Sequence, residues 1–318
     1  MRVDVHAHHL PGSYLDKLRQ GGFPVFGQPH TEGTLQSMIA NQDTAGIDVQ
    51  ILSTGGNRPY LRDRDLAIDA AREVNDIFRR IMTTYGGRFS AFGNVPLPHA
   101  DAAAAEAARC LDELGFAGIH LGCSVLGQTL DDPAFDAFWQ ALDRRQAVVY
   151  LHPGGIMLGT EPGLAGMDDS LIAVTIGSAA ELATAALRLV IVQRRYPHVR
   201  IIVGLLGGAL PFLLDRVDWL TSRWKGASIL RSDVTEETLA DALRAMYYDT
   251  DLHPDSDTLA FAAKVYGTER LLFGSDSPSG TPADALGFIE AAGLSAWERE
   301  GIVGRNAVAL FGDRIPAR

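Results

Sequence analysis

Cysteine is nearly missing: Cys110 and Cys123 are the only two in 318 residues, which excludes a disulfide framework and a cysteine-rich metal site. Both are expected to be reduced thiols, Cys110 within an alanine-rich helical pattern and Cys123 beside a glycine. Basic residues are in deficit, 28 Lys and Arg against 39 Asp and Glu, giving a formal net charge of −11. A nucleic acid or an anionic membrane would favour a basic face, so neither is expected as a partner. No run of about 18 or more uncharged apolar residues marks a membrane span. The opening "MRVDVHAHH" lacks the basic and apolar regions of a secretory signal, so a cytoplasmic location is expected. Also absent are a Gly-x-Gly-x-x-Gly fingerprint after the first strand, a tandem repeat and a low-complexity linker.

What is present is a chain with 47% hydrophobic content, enough to bury a large core as a single domain over residues 1–318. Short β-branched or aromatic runs alternate with amphipathic segments from end to end. Eight strands are expected: "RVDV" from Arg2, "DVQIL" from Asp48, "FSAFGNV" from Phe89, "FAGIHL" from Phe116, "AVVYL" from Ala147, "RIIVGL" from Arg200, "MYYDT" from Met246 and "RLLFGS" from Arg270. Helical patterns fill the gaps, as in the stretch from Asp65, where Leu66, Ala70, Val74, Ile77, Phe78 and Ile81 share one stripe. Others cover 101–114, 134–145, 177–196, 235–245, 256–265 and 282–291. Strand–helix alternation of this kind predicts an α/β fold, a (β/α)8 TIM barrel, with reactive groups at the C-terminal ends of the strands.

Histidines and carboxylates stand at those ends. In "VDVHAHH" regular alternation puts Asp4, His6 and His8 on one face, with Val3 and Val5 on the other, and His9 away from the pair. In "VVYLHPGG" a strand runs straight into His152, and in "LLFGSDSPSG" Asp276 ends the last strand. Singly, each has a plain alternative: a polar turn, a strand-capping imidazole, a solvated turn aspartate. Barrel closure places strand eight beside strand one, and together the four make a mononuclear divalent site with an open position.

These segments resemble the amidohydrolase superfamily, specifically the amidohydrolase-2 branch that holds 2-amino-3-carboxymuconate-6-semialdehyde decarboxylase and related aromatic-acid decarboxylases. The likeness runs through "VDVHAHHLP", "AGIDVQILST", "RFSAFGNVPL", "LGFAGIHLG", "DDPAFDAFWQALDRRQAVVYLHP", "GGALPFLLDR" and "LLFGSDSP". The middle segments are especially similar to 6-methylsalicylate decarboxylases. The resemblance implies that His6, His8, His152 and Asp276 are the metal ligands, usually of zinc and sometimes of manganese, that Asp276 also handles protons, and that the chain forms a homodimer.

One position departs from the pattern. The sixth strand of the family ends in a histidine before a glycine-rich turn, and here Leu205 stands there, in "VGLLGGALP". Leucine neither accepts nor relays a proton, a function typically worth about 10²–10⁴ in rate. The chain is therefore an inactivated variant, an enzyme with altered chemistry, or a non-catalytic binding relative. Alternative proton carriers are His120, ending strand four, and His253, after strand seven.

For substrate binding, the resemblance implies a role for Arg216, eleven residues after Leu205, reaching a carboxylate across a dimer interface. "LDRVDWLTSRW" also suits an ordinary surface helix. The family's second substrate arginine finds Gln36, Met38 and Ala40 in its place, which argues against a diacid. Asn57 and Arg58 after strand two are further candidates, and the glycine-rich segment 154–172 has the length of a lid. His30, His99 and His198 are expected to be solvated, and Phe135 and Trp139 to be core.

The expectation is a metal-dependent, non-oxidative decarboxylase-like enzyme for a small aromatic or unsaturated carboxylic acid. Hydrolysis of an amide or lactone is the alternative, and Leu205 weakens it further because a base beside the attacking water is missing.

Overall fold

The computed structural model describes residues 1–154, 173–223, 239–251 and 255–316. Its strands are β1 (Val3–His8), β2 (Val49–Ser53), β3 (Phe89–Gly93), β4 (Gly118–Gly122), a short antiparallel hairpin β5 (Ser124–Val125) and β6 (Gln128–Thr129), then β7 (Val148–His152), β8 (Arg200–Val203), β9 (Tyr247–Asp249) and β10 (Leu271–Leu272). Apart from the hairpin they pair in parallel in the order β1-β2-β3-β4-β7-β8-β9-β10. The ends meet: Val5 N donates to Phe273 O at 2.8 Å, and His8 N to Ser277 O at 2.7 Å. These are the eight barrel strands expected from the sequence.

The packed barrel interior on one face of the strands and the outer helices on the other explain the unbroken apolar runs, because a parallel sheet has no wet side. The helix Arg64–Thr84 is typical of the outer layer. Asp63 caps it by accepting from Leu66 N, and Ala67, Ala70, Val74, Phe78 and Ile81 are buried along one stripe. The stretch Thr175–Arg195 is long and apolar enough by composition to cross a membrane, but half of it is buried within the molecule. Two helices between β1 and β2, Gly12–Gln20 and Glu32–Ala45, were not apparent from periodicity. Nor was the C-terminal helix Asn306–Phe311, whose Leu310 and Phe311 pack with Val3, Val5, Phe92 and Tyr150 in a second buried cluster.

That cluster corrects the alternation expected for β1. The pairing with β2 slips between Asp4 and Ala7, so three steps on β1 match two on β2. This is a bulge, and it changes which face the following side chains take. Val3 and Val5 pack in the same cluster as Tyr150, while Asp4 bonds Gln50, itself tied at 2.8 Å to Gln42 on the helix Glu32–Ala45. Asp4 is thus on the helix side and does not share a face with His6 and His8.

The end of β8 is a tight left-handed turn. Leu205 and Leu206 have φ of 52° and 50°, followed by Gly207 at 76° and Gly208 at 61°. The glycines are required: a Cβ at 208 would lie 2.5 Å from Ala179 O. The leucines have no such freedom, and a non-glycine residue held there costs on the order of 1–3 kcal/mol.

Candidate metal centre

Three imidazoles and three carboxylates converge at the C-terminal mouth of the barrel. One nitrogen from each of His6, His8 and His152 lies within 4.8 Å of the other two, and His6, Asp251 and Asp276 form a second such group. His6 Nε2 is 3.1 Å from His8 Nε2 and 3.8 Å from Asp276 Oδ1, which is 3.0 Å from His8 Nε2. The His152 ring centroid is 5.1 Å from that of His6 and 5.0 Å from that of His8.

The outer nitrogens decide what the inner ones can do. His6 Nδ1 donates to Asp249 Oδ2 at 3.1 Å, and His152 Nδ1 to Pro153 O at 2.7 Å; both oxygens only accept. His8 Nδ1 is 2.8 Å from Ser53 Oγ, which also accepts from Gly55 N. With Nδ1 carrying the proton, each ring turns a bare Nε2 lone pair inward. The His6 and His8 nitrogens then face each other at 3.1 Å, an arrangement that repels unless a cation stands between them.

The carboxylates make the same demand. Asp249 is fully buried, Asp251 is 2% exposed, and Asp251 Oδ2 lies 3.3 Å from His6 Nδ1. Burial opposes a charge on His6, yet Asp251 and Asp249 outweigh it and hold the ring up at about 10, so His6 carries a second proton on Nε2 wherever no divalent ion takes that position. Burial likewise works against charge on Asp249 and Asp276, but His6 in one case and His8 in the other keep both carboxyls below their usual range. His8 and, more strongly, His152 are pushed down by burial, which keeps them neutral and able to donate a lone pair. A buried cluster with this surplus of negative charge fits a divalent cation.

Asp249 is the organiser that the sequence reading passed over. Its carboxylate accepts from His6, from Tyr150 OH at 3.0 Å, and from the backbone N–H groups of Leu205 at 2.9 Å and Asp251 at 3.1 Å. The signal was available: Asp249 ends β9 as Asp276 follows β10, and a carboxylate at a barrel strand end is a site residue by position. His253, the candidate in the same stretch, lies outside the described residues, as do residues 155–172.

His120 is 1% exposed in the middle of β4, not at its end as expected, with its ring 6.0 Å from that of His152. Its Nδ1 is 3.4 Å from both Thr54 Oγ1 and Asn94 Oδ1, and its Nε2 has no hydrogen-bond partner among the described residues. Burial, with Arg58 second, pushes this imidazole well below its ordinary value. Arg58 is buried and donates through Nη1 to Gly55 O, His152 O and Pro153 O. The Asn57 amide is spent on the backbone of Phe26, donating to its carbonyl and accepting from its N–H, so its side chain clasps a loop. Arg216 is exposed on the helix Leu210–Arg223.

Among the remaining histidines, His9 is buried with its ring 5.7 Å from that of His30. Against expectation His30 and His99 are not simply solvated: His30 Nδ1 accepts from Leu10 N, and His99 Nε2 meets Leu61 O at 3.0 Å. Phe135 and Trp139 are core, each 1% exposed.

Residues 3–312 match the amidohydrolase family profile. A gamma-resorcylate decarboxylase of Rhizobium sp. (strain MTP-10005) is 30% identical over 96% of this chain and 92% of its own. A 6-methylsalicylic acid decarboxylase of Aspergillus aculeatus is 29% identical over 98% and 96%. Among solved structures, a dihydroxybenzoic acid decarboxylase of Polaromonas sp. JS666, with bound manganese and 2-nitroresorcinol, superposes with a TM-score of 0.78 at 24% identity, covering 98% of this chain and 96% of that one. By the extent of the profile match and the full-length relatives, the chain belongs to the amidohydrolase family.

Proposed function

We propose that this protein is a metal-dependent, non-oxidative decarboxylase of a small aromatic carboxylic acid, working as a homodimer. The observation that carries the reading is the set of inward Nε2 lone pairs of His6, His8 and His152 beside Asp276, each imidazole fixed by an oxygen on its outer nitrogen. These four residues would hold the ion. Zinc and manganese both suit three imidazoles and a carboxylate, and manganese is the ion in the Polaromonas decarboxylase. When bound, a divalent ion supplies Lewis-acid polarisation of the substrate carboxylate or an adjacent hydroxyl.

The chain's own residues do the rest. Asp249 keeps the proton of His6 on Nδ1 and so aims Nε2 inward. Asp276, whose Oδ1 lies 3.0 Å from His8 Nε2, would take up and return a proton at the mouth. Leu205 offers no acid or base at the end of β8, and among the described residues His120, whose Nε2 makes no hydrogen bond, is the candidate to relay to the ring the proton that replaces carbon dioxide.

The test is carbon dioxide release from a panel of hydroxybenzoates by protein with stoichiometric divalent metal, set against water-dependent cleavage of lactones and amides. Release from a hydroxybenzoate that stops on chelation and returns with metal is expected. Cleavage of lactones without carbon dioxide release, or purification without any divalent metal, overturns the reading.

A further inference from the structure

Arg58 is 3% exposed, and all of its hydrogen bonds run through Nη1 to the carbonyls of Gly55, His152 and Pro153. Its Nε has no partner among the described residues. The Nε–Nη2 edge of the guanidinium makes no hydrogen bond among the described residues, and because Nε is sealed against Gly122 a ligand oxygen would meet this edge at Nη2.

The same arginine lines a cavity of about 550 Å³, a volume suited to a small-molecule site. None of His6, His8, His152 and Asp276 lines it. Two kinds of wall meet there. Arg58, Tyr60 and the exposed Arg62 give a polar side on which cations outnumber Glu181, while Phe23 and Leu126 give an apolar side.

The backbone is built around the guanidinium. A Cβ on Gly122, the last residue of β4, would lie 2.4 Å from Arg58 Nε and 2.7 Å from its Cζ, so only glycine lets the group settle there. Tyr60 OH accepts from Gly122 N at 3.1 Å and fixes that approach. Through the carbonyls of His152 and Pro153 the guanidinium also touches the wall of the metal centre.

We propose that this cavity is a second binding site, for a monocyclic aromatic carboxylate, in which Arg58 takes the carboxylate and the apolar wall takes the ring. It rests on the decarboxylase reading for its role: a loading subsite that accepts the acid and not the phenol left after carbon dioxide departs. Loss of the carboxylate removes the group that the free edge of Arg58 recognises, so product does not compete for entry.

Calorimetric titration of the chelated full-length protein with benzoate, and with phenol in parallel, tests the site without the metal centre. One benzoate per chain is expected, with phenol at least about tenfold weaker. Arg58→Met and Leu126→Asp should each weaken benzoate about tenfold or more. Leu126 is 39% exposed, so the Asp variant folds even if loss of Arg58 disturbs the β7 end. No benzoate uptake by the chelated protein, or uptake unchanged in Leu126→Asp, overturns the proposal. Benzoate uptake that persists while no hydroxybenzoate releases carbon dioxide leaves the site standing and removes the decarboxylase reading instead.

Discussion

At the scale of single residues, Leu205 and Asp249 carry opposite information. Leu205 occupies a left-handed backbone position that histidine, asparagine and aspartate adopt more readily than leucine. Its N–H is held by Asp249, so the turn does not depend on the side chain. Leu205→His should therefore fold with unchanged or slightly higher stability. If His120 holds the proton, turnover by that variant stays level or falls, while His120→Asn lowers kcat by about 10² or more. Steady-state carbon dioxide release decides between them: a rise of orders of magnitude in Leu205→His marks the leucine as a lesion. Asp249→Asn has a different readout. The amide can present an N–H to His6 in place of an acceptor, and metal affinity is expected to fall about 10- to 100-fold, measured by competition with a chelator. Unchanged affinity would mean that Asp249 shapes only the turn.

At the scale of elements, the strands were legible because a parallel barrel buries both faces, and continuous runs such as "VVYLH" have no other stable home. His152 could be placed for the same reason, since it directly ends β7, whereas Asp276 lies beyond the two-residue β10. The bulge in β1 was not legible: one extra residue leaves the composition unchanged, and only the pairing with β2 reveals it. The short helix Asn306–Phe311 was missed because six residues give too few turns for a stripe. Its burial shows what it does, and Phe311→Ala should cost about 3–5 kcal/mol in denaturant unfolding if the cluster does not collapse around the gap. His9, just beyond β1, makes the element acid-sensitive. Burial, aided by nearby His30, lowers its value from 6.5 to about 4. The unfolded chain then takes up a proton first as pH falls, so stability present above about 6.5 is lost towards 4, by up to about 3 kcal/mol. Denaturation midpoints at pH 7.5 and 5 should draw closer together in His9→Leu than in the unaltered protein.

At the scale of the whole molecule, the helix Leu210–Arg223 presents an apolar face that the barrel does not cover. Phe212 is 84% exposed, Trp219 54% and Leu213 38%, and Phe212 meets Phe261 with ring centroids 5.5 Å apart. A cavity of about 330 Å³ between Phe212 and Phe261 reaches Leu206, next to the turn that carries Leu205. Clustered aromatic groups of this kind on a surface mark an interface more often than a solvated face. A two-fold contact through this helix would bury the aromatic groups of both copies at once. It would also bring the exposed Arg216 of one copy beside the other, where the carboxylate role implied for it becomes possible. Sedimentation velocity is expected to show a dimer, and Phe212→Asp a monomer with lower turnover. Arg216→Ala should keep the dimer and raise KM for the acid about tenfold or more, because only substrate binding loses a charged partner. A monomeric unaltered chain, or an Arg216→Ala dimer with unchanged KM, would separate this helix from the site and leave Arg58 as the carboxylate anchor.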